Sequence, residues 1–241
     1  MNQYDLTETI HQLLKDEITN MSIIGFVSDN PVTEILKEEE SVLIKGISDE
    51  EWMYIFSKNK NELRKLLEGL TDKDIYFASV EDWMIPIISE NKKFEWTLST
   101  IRWYLPDEVE VTENRYKTFP ISQEHVGFII SQSNYKQFLT PRYIKERITK
   151  SVSACIYDDD KLFAWGLTHD DGALGSLNVL DEYRGKKYGT EIVLSLIHQC
   201  RALGKIPFAQ IEETNEKAVK LVSKLGFVKD RRVTWIKCKA D

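Results

Sequence analysis

Leu177-Asn178-Val179-Leu180-Asp181-Glu182-Tyr183-Arg184-Gly185-Lys186-Lys187-Tyr188-Gly189-Thr190 changes periodicity part-way through. An apolar run ends near Leu180, an acidic turn and a basic, glycine-bearing loop follow, and from Tyr188 the spacing becomes helical, with Ile192, Val193, Leu196, Ile197 and Cys200 on one stripe. The stretch therefore reads strand, short loop, helix. A helix N-terminus leaves several backbone N–H groups unpaired, and with the helix dipole they make an anion site. Gly185 and Gly189 stand where close backbone approach and unusual dihedrals are useful, and Arg184, Lys186 and Lys187 add charge suited to a pyrophosphate. An ordinary βα loop, with glycines for turning and basic side chains in solvent, has the same composition. The P-loop pattern is excluded because no Gly-Lys-Ser/Thr follows at its spacing, and the three spaced glycines of a dinucleotide fold are absent.

Outward from this loop, two helices are expected at Glu124–Ser131 and Pro141–Lys150. Strands follow at Val152–Tyr157, Leu162–His169 and Ala173–Leu180, the last two joined by Asp170-Asp171-Gly172, a hairpin signal. After the helix from Tyr188 to Leu203, ended by Gly204, come a strand at Pro207–Ile211 and a helix capped by Thr214 or Asn215 and ended by Gly226. A last strand runs over Val233–Cys238, with room for a short one near Phe227. The order ααβββαβαβ implies an α/β fold with a mixed sheet and helices on both faces.

Towards the N-terminus, Met1–Thr19 reads as an amphipathic helix, Ser22–Val27 as a short buried strand, and Asp29-Asn30-Pro31 as a turn. Ser41–Ile47 and Glu51–Phe56 read as strands, Lys60–Leu70 as a helix, Asp74–Ser79 as a strand, Glu81–Glu90 as a helix and Phe94–Leu105 as a strand. The acidic stretch Leu105–Asn114 marks the boundary between an N-terminal domain, 1–115, and a second domain, 116–241. Asp74–Tyr104 repeats the strand–helix–strand rhythm of Pro207–Lys237, with Phe94 in the place of Phe227 and Trp103 in that of Trp235, so the first domain reads as a smaller, degenerate copy of the second.

With 241 residues, 42% hydrophobic and 29% charged, the chain can bury a sizeable core. Its net charge of -7 argues against nucleic acid as a partner. No apolar run reaches the roughly 20 residues that cross a bilayer, so no membrane partner is expected. Cys155, Cys200 and Cys238 are odd in number and lack metal-ligand spacing, and His11, His125 and His198 show none either. The expectation is a reduced, cytoplasmic protein without a metal. The six tryptophans read as core or interface residues, and Glu38-Glu39-Glu40 as a solvated face.

Arg184 to Gly189, after a strand ending in Val179, resembles the acyl-coenzyme A loop of the GNAT acetyltransferases: Arg or Gln, two residues, Gly, one residue, Gly or Ala. Lys187 stands here at the first glycine position. Asn215, Ala218 and Lys224-Leu225-Gly226-Phe227 resemble the later strand–helix segment of the same family, in the expected order. The run Phe163-Ala164-Trp165-Gly166-Leu167 through Glu182-Tyr183-Arg184 looks most like the glycine N-acyltransferase branch. The resemblance covers about Val152 to Trp235 well.

It implies a GNAT fold in the C-terminal half and transfer of an acyl group, from acetyl-CoA or another acyl-CoA, to the amine of a small molecule or amino acid. Leu177, Asn178, Val179, Arg184, Gly185, Lys186, Lys187, Tyr188, Gly189, Thr190 and Asn215 would hold the cofactor, with backbone groups at Leu177 and Val179 polarising the thioester carbonyl. The family's usual glutamate base falls at Ala173 and its tyrosine acid at Val222. His169, Asp170, Asp171, Glu212 and Glu213 are the nearby substitutes, and His169 and Glu212 are the catalytic candidates. A water relay competes with them. Loss of the usual base and acid also fits a CoA-binding module without catalysis. The acceptor pocket is expected among the helices between Glu124 and Lys150.

Overall fold

The computed structural model describes residues 3–133 and 135–239. Two compact units form, Met1–Arg102 with Asp230–Asp241, and Trp103–Lys229. The chain runs α1 (Gln3–Leu13), α2 (Glu17–Asp29), β1 (Val32–Glu38), β2 (Ser41–Ile47), β3 (Glu51–Phe56), α3 (Lys60–Glu68), β4 (Tyr76–Glu81), α4 (Ile85–Ile88) and β5 (Phe94–Tyr104). It then runs α5 (Val126–Gln132), α6 (Pro141–Lys150), β6 (Ser153–Asp158), β7 (Lys161–Thr168), β8 (Leu174–Val179), α7 (Tyr188–Ala202), β9 (Phe208–Ile211), α8 (Glu216–Lys224) and β10 (Val228–Cys238). The order ααβββαβαβ thus occurs twice.

In the first unit the strands lie in the order β1-β2-β3-β4-β10-β5. β3 and β4 are parallel, β1–β2, β2–β3 and β4–β10 antiparallel, so the sheet is mixed. β10 belongs here, between β4 and β5, whereas the sequence reading kept it with the second unit. The cause is burial: Ile236 and Cys238 are fully buried with Leu43, Met53, Phe77 and Met84 in one cluster. No hydropathy pattern says which sheet an apolar strand will join.

Ser22–Val27, expected as a strand, lies inside α2. Asp16 caps that helix, its carboxylate accepting from the Thr19 N–H at 3.3 Å, and Asn20, Met21, Ser22, Ile23, Gly25 and Phe26 are all buried. A helix without a polar face loses its period, so a six-residue apolar run cannot be told from a strand. The expected helix over Met1–Thr19 is α1, a 3-10 turn at Leu14–Asp16 and the start of α2, with Met1 and Asn2 outside the described residues. β1 was not foreseen, because its residues are half-buried or exposed and mostly polar. The run Glu38-Glu39-Glu40 makes the β1–β2 turn, with Glu39 at φ 52° and Glu38 paired with Lys65. The helix expected at Glu81–Glu90 shrinks to Ile85–Ile88, with Pro86 in its first turn. The short strand considered near Phe227 is simply the start of β10.

In the second unit β6, β7 and β8 form an antiparallel three-stranded sheet. One face carries the cluster of Ala154, Ile156, Phe163, Ile192, Leu196 and Val222, under α7 and α8. The other carries Val126, Ile129, Tyr143, Ile144, Cys155, Trp165 and Leu167, under α5 and α6. β9 follows α7 but does not pair with β8, although the two are neighbours in the fold.

Candidate functional site

The connection from β8 to α7 begins in a 3-10 turn and ends at a helix start that no side chain caps. Asp181–Tyr183 make a 3-10 turn after β8. The Tyr183 ring stacks on Phe163 at 4.1 Å, and its hydroxyl donates to Asp158 at 2.6 Å, a bond that raises the phenol's pKa. Arg184 is extended, and its Nε donates to the Val179 carbonyl at 3.0 Å while its guanidinium pairs with Asp181 at 2.5 Å. Gly185 turns at φ 80° and Lys187 at φ 67°, and α7 begins at Tyr188 with no side chain capping it. Among the described residues, no acceptor is found for the backbone N–H groups of Gly185 through Gly189. Five consecutive amide donors thus lie at or just before the start of a helix with no protein acceptor among the described residues.

The two glycines are there for different reasons. Gly185 needs its positive φ. At Gly189 an added Cβ would meet only Val179 Cγ2, at an ordinary 3.7 Å, so the protein itself does not demand glycine there. Lys187 holds a left-handed conformation that costs a non-glycine residue roughly 1–2 kcal/mol. Lys187→Gly should raise the stability of the ligand-free protein by up to about 1 kcal/mol, read as a higher urea midpoint at constant slope.

The first unit shows what such a loop looks like when closed. α3 follows β3 as α7 follows β8, but Asn59 caps it, accepting from the Asn61 and Glu62 N–H groups at 3.1 and 2.9 Å. The Glu62 carboxylate is held there by Asn59 and by the Ser41 hydroxyl, bonds that lower its pKa. A resident anion thus occupies the helix start. β3 and β4 also stay paired through Tyr54 and Ala78, where β8 and β9 part. Among the described residues, then, the start of α3 is capped and follows a strand paired with β4, whereas the start of α7 is uncapped and follows a strand that does not pair with β9.

β8 carries a bulge. Ser176 sits at φ 47°, and the register with β7 slips between Leu167↔Gly175 and Trp165↔Asn178. A bulge re-aims local backbone groups, here at Leu177, beside the unpaired edge. Asn178 donates through Nδ2 to the Gln132 carbonyl at the end of α5, at 3.2 Å. Asn215 caps α8, its Oδ1 accepting from the Ala218 N–H at 3.2 Å. Thr190 lies in the first turn of α7, its N–H bonded to the Lys187 carbonyl.

The catalytic candidates separate into two groups. His169 packs over β8 so closely that a Cβ on Gly175 would lie 2.1 Å from its Nε2, and its Nδ1 is 3.0 Å from the Tyr143 hydroxyl. Asp170 and Asp171 are buried. Asp171 accepts from the Ala173 N–H at 3.0 Å and from Gln210 of β9 at 2.7 Å, which fixes the β7–β8 turn. Glu213 faces Lys229 at 3.9 Å. Glu212, at the end of β9, accepts from the Tyr135 hydroxyl. Burial and then Glu212 push the Tyr135 phenol up to about 12. Ala173 and Val222, where a base and an acid were expected, are buried apolar residues. Tyr135 was missed by the sequence reading, since it sits in the α5–α6 connection, where no periodicity marks a side chain's role. Among the described residues no cluster of three metal-ligating side chains occurs, and no helix is long and apolar enough to cross a membrane.

Residues 152–236 match the family described as FR47-like protein, about a third of the chain. No curated protein sequence matches. Among solved structures, a Drosophila protein is similar over 100% of this chain and 97% of its own, at 15% identity and a TM-score of 0.81. A GCN5-related N-acetyltransferase from Kribbella flavida is similar over 92% and 94%, at 12% identity and TM-score 0.60. A tandem GNAT protein from the clavulanic acid biosynthesis pathway is similar over 96% and 95%, at 12% identity and TM-score 0.51. The fold is that of the GNAT acetyltransferases.

Proposed function

We propose that this chain is an acyl-CoA-dependent N-acyltransferase of the GNAT kind, nearest the glycine N-acyltransferase-like branch, acting in the cytoplasm. It takes acetyl-CoA or another acyl-CoA and moves the acyl group to the amine of a small molecule or amino acid. The observation that carries this reading is the uncapped start of α7, with its five unsatisfied amides, next to the parting of β8 and β9. The amides of Gly185 to Gly189, with Arg184, Lys186, Lys187 and Thr190 around them, hold the diphosphate. Leu177, Asn178 and Val179 on one side and Asn215 on the other line the path of the pantetheine arm. When bound, the acyl-CoA supplies a thioester carbonyl open to attack. The re-aimed backbone at the β8 bulge orients that carbonyl, and His169 or Glu212 takes the proton from the amine.

A second reading, a CoA-binding module without turnover, is favoured by Ala173 and Val222, which put no proton-transfer group at either expected place. Thermal denaturation with acetyl-CoA, followed by release of free thiol against a panel of amines, tests both. A raised melting temperature with thiol release is the expected result. A raised temperature without release across the panel supports the binding module, and no rise with acetyl-CoA or longer acyl-CoAs overturns both.

A further inference from the structure

The parting of β8 and β9 is bridged by a third element, the end of α5 and the connection that follows it. Asn178 of β8 holds the end of α5 through the Gln132 carbonyl, and three residues further on Tyr135 reaches Glu212, the residue after β9. A phenol and a carboxylate, the two kinds of group missing at Val222 and Ala173, thus meet at the mouth of the gap along which the acyl-CoA reading places the thioester. The pair is partly accessible: Tyr135 is 41% exposed and Glu212 half-buried. His169, by contrast, has its ring pressed on Gly175 and its Nδ1 against Tyr143.

We infer that Glu212 and Tyr135 are the base and the acid of one catalytic pair, supplied from the end of β9 and the α5–α6 connection instead of from the positions of Ala173 and Val222. The inference rests on the acyl-CoA reading. The pair dictates an order of events. While Glu212 is a carboxylate, its charge-assisted bond holds the Tyr135 hydroxyl. Glu212 then takes a proton from the acceptor ammonium, which frees the nitrogen lone pair to form the C–N bond. Neutralised, Glu212 loosens its hold on the phenol. The C–S bond breaks with its electron pair on sulfur, and Tyr135 gives sulfur its proton. The surplus proton on the new amide nitrogen restores the phenol, and Glu212 releases its own to solvent, one proton per turnover. While Glu212 is charged, burial and that charge keep the Tyr135 phenol protonated and a weak acid, and neutralising Glu212 removes the charge that held its proton.

Tyr135→Phe and Glu212→Gln, singly and together, test this with two kinds of readout. In the free protein, ultraviolet difference titration against Tyr135→Phe should show the Tyr135 phenol ionising at lower pH in Glu212→Gln, because the neighbouring charge is gone. In turnover each single variant should lose on the order of 10²-fold in kcat while the acetyl-CoA thermal shift is kept. The double variant should lose little more than either single one, as groups acting in one unit do. Tyr135→Phe with wild-type kcat, or fully additive losses, overturns the pair while leaving the acyl-CoA reading standing. A wild-type protein with no acyl-CoA shift overturns that reading and the pair's role with it, whatever the titration of the free protein shows.

Discussion

Arg184→Glu is expected to abolish the rise in melting temperature that acetyl-CoA gives the wild-type protein. A ligand present at about 100 times its Kd stabilises a folded chain by about 2.7 kcal/mol, which for this length is a rise of roughly 5–10 °C. The α7 amides are fixed partial charges and cannot adapt, so a carboxylate next to them competes for the donors and repels the diphosphate. At 4–6 Å and an effective dielectric near 20, each such charge contact is worth a few kcal/mol, enough to lose two or more orders of magnitude in affinity. The fold should lose little. The Arg184 side chain is 54% exposed, and its ion pair with Asp181 is a surface contact of under about 1 kcal/mol. The melting temperature of the free variant should therefore stay close to wild type while the ligand-induced rise disappears. A rise of wild-type size in the variant would remove this loop from the site.

The same loop shows what was legible in the sequence and why. Gly185, Arg184 and the helical stripe from Ile192 to Cys200 are local signals: a turn, a charge, a period. Local rules read them correctly, as they read Pro141–Lys150 to the residue. What depended on distant chain was not readable. Gly175 looks like any strand glycine until His169 is seen lying where its Cβ would be. Tyr135 and Glu212 are 77 residues apart, and nothing in either neighbourhood announces the other. The closed α3 end in the first unit was half legible, since Asn59 is a good cap by type, but the Glu62 carboxylate held in it depends on Ser41 from another strand. The bulge at Ser176 left no trace at all, because the positive φ falls on a serine and not on a glycine.

Ending the chain after Lys229 should leave the first unit unable to fold. The deleted segment contains most of β10, whose neighbours β4 and β5 it joins. Val233, Ile236 and Cys238 are fully buried there, and Trp235 packs edge-on against Trp52 at 4.8 Å. Large apolar side chains of this kind contribute about 1.5–3 kcal/mol each, so their loss alone takes several kcal/mol. The deletion also removes Asp230, which pairs with the buried Arg102 guanidinium at 2.6 Å. Leaving a buried charge without its partner costs about 3–5 kcal/mol more. The sum is comparable with the whole stability of an ordinary domain, about 5–15 kcal/mol. The truncated chain should show protease cutting throughout Met1–Arg102 and loss of that unit's near-ultraviolet circular dichroism. Restoring the strand while removing only the charge pair, as Arg102→Met with Asp230→Leu, should refold it, because a matched apolar pair leaves no buried charge behind. A truncated chain whose first unit resists protease like wild type would mean that β10 is dispensable there, and that the first repeat closes its own sheet.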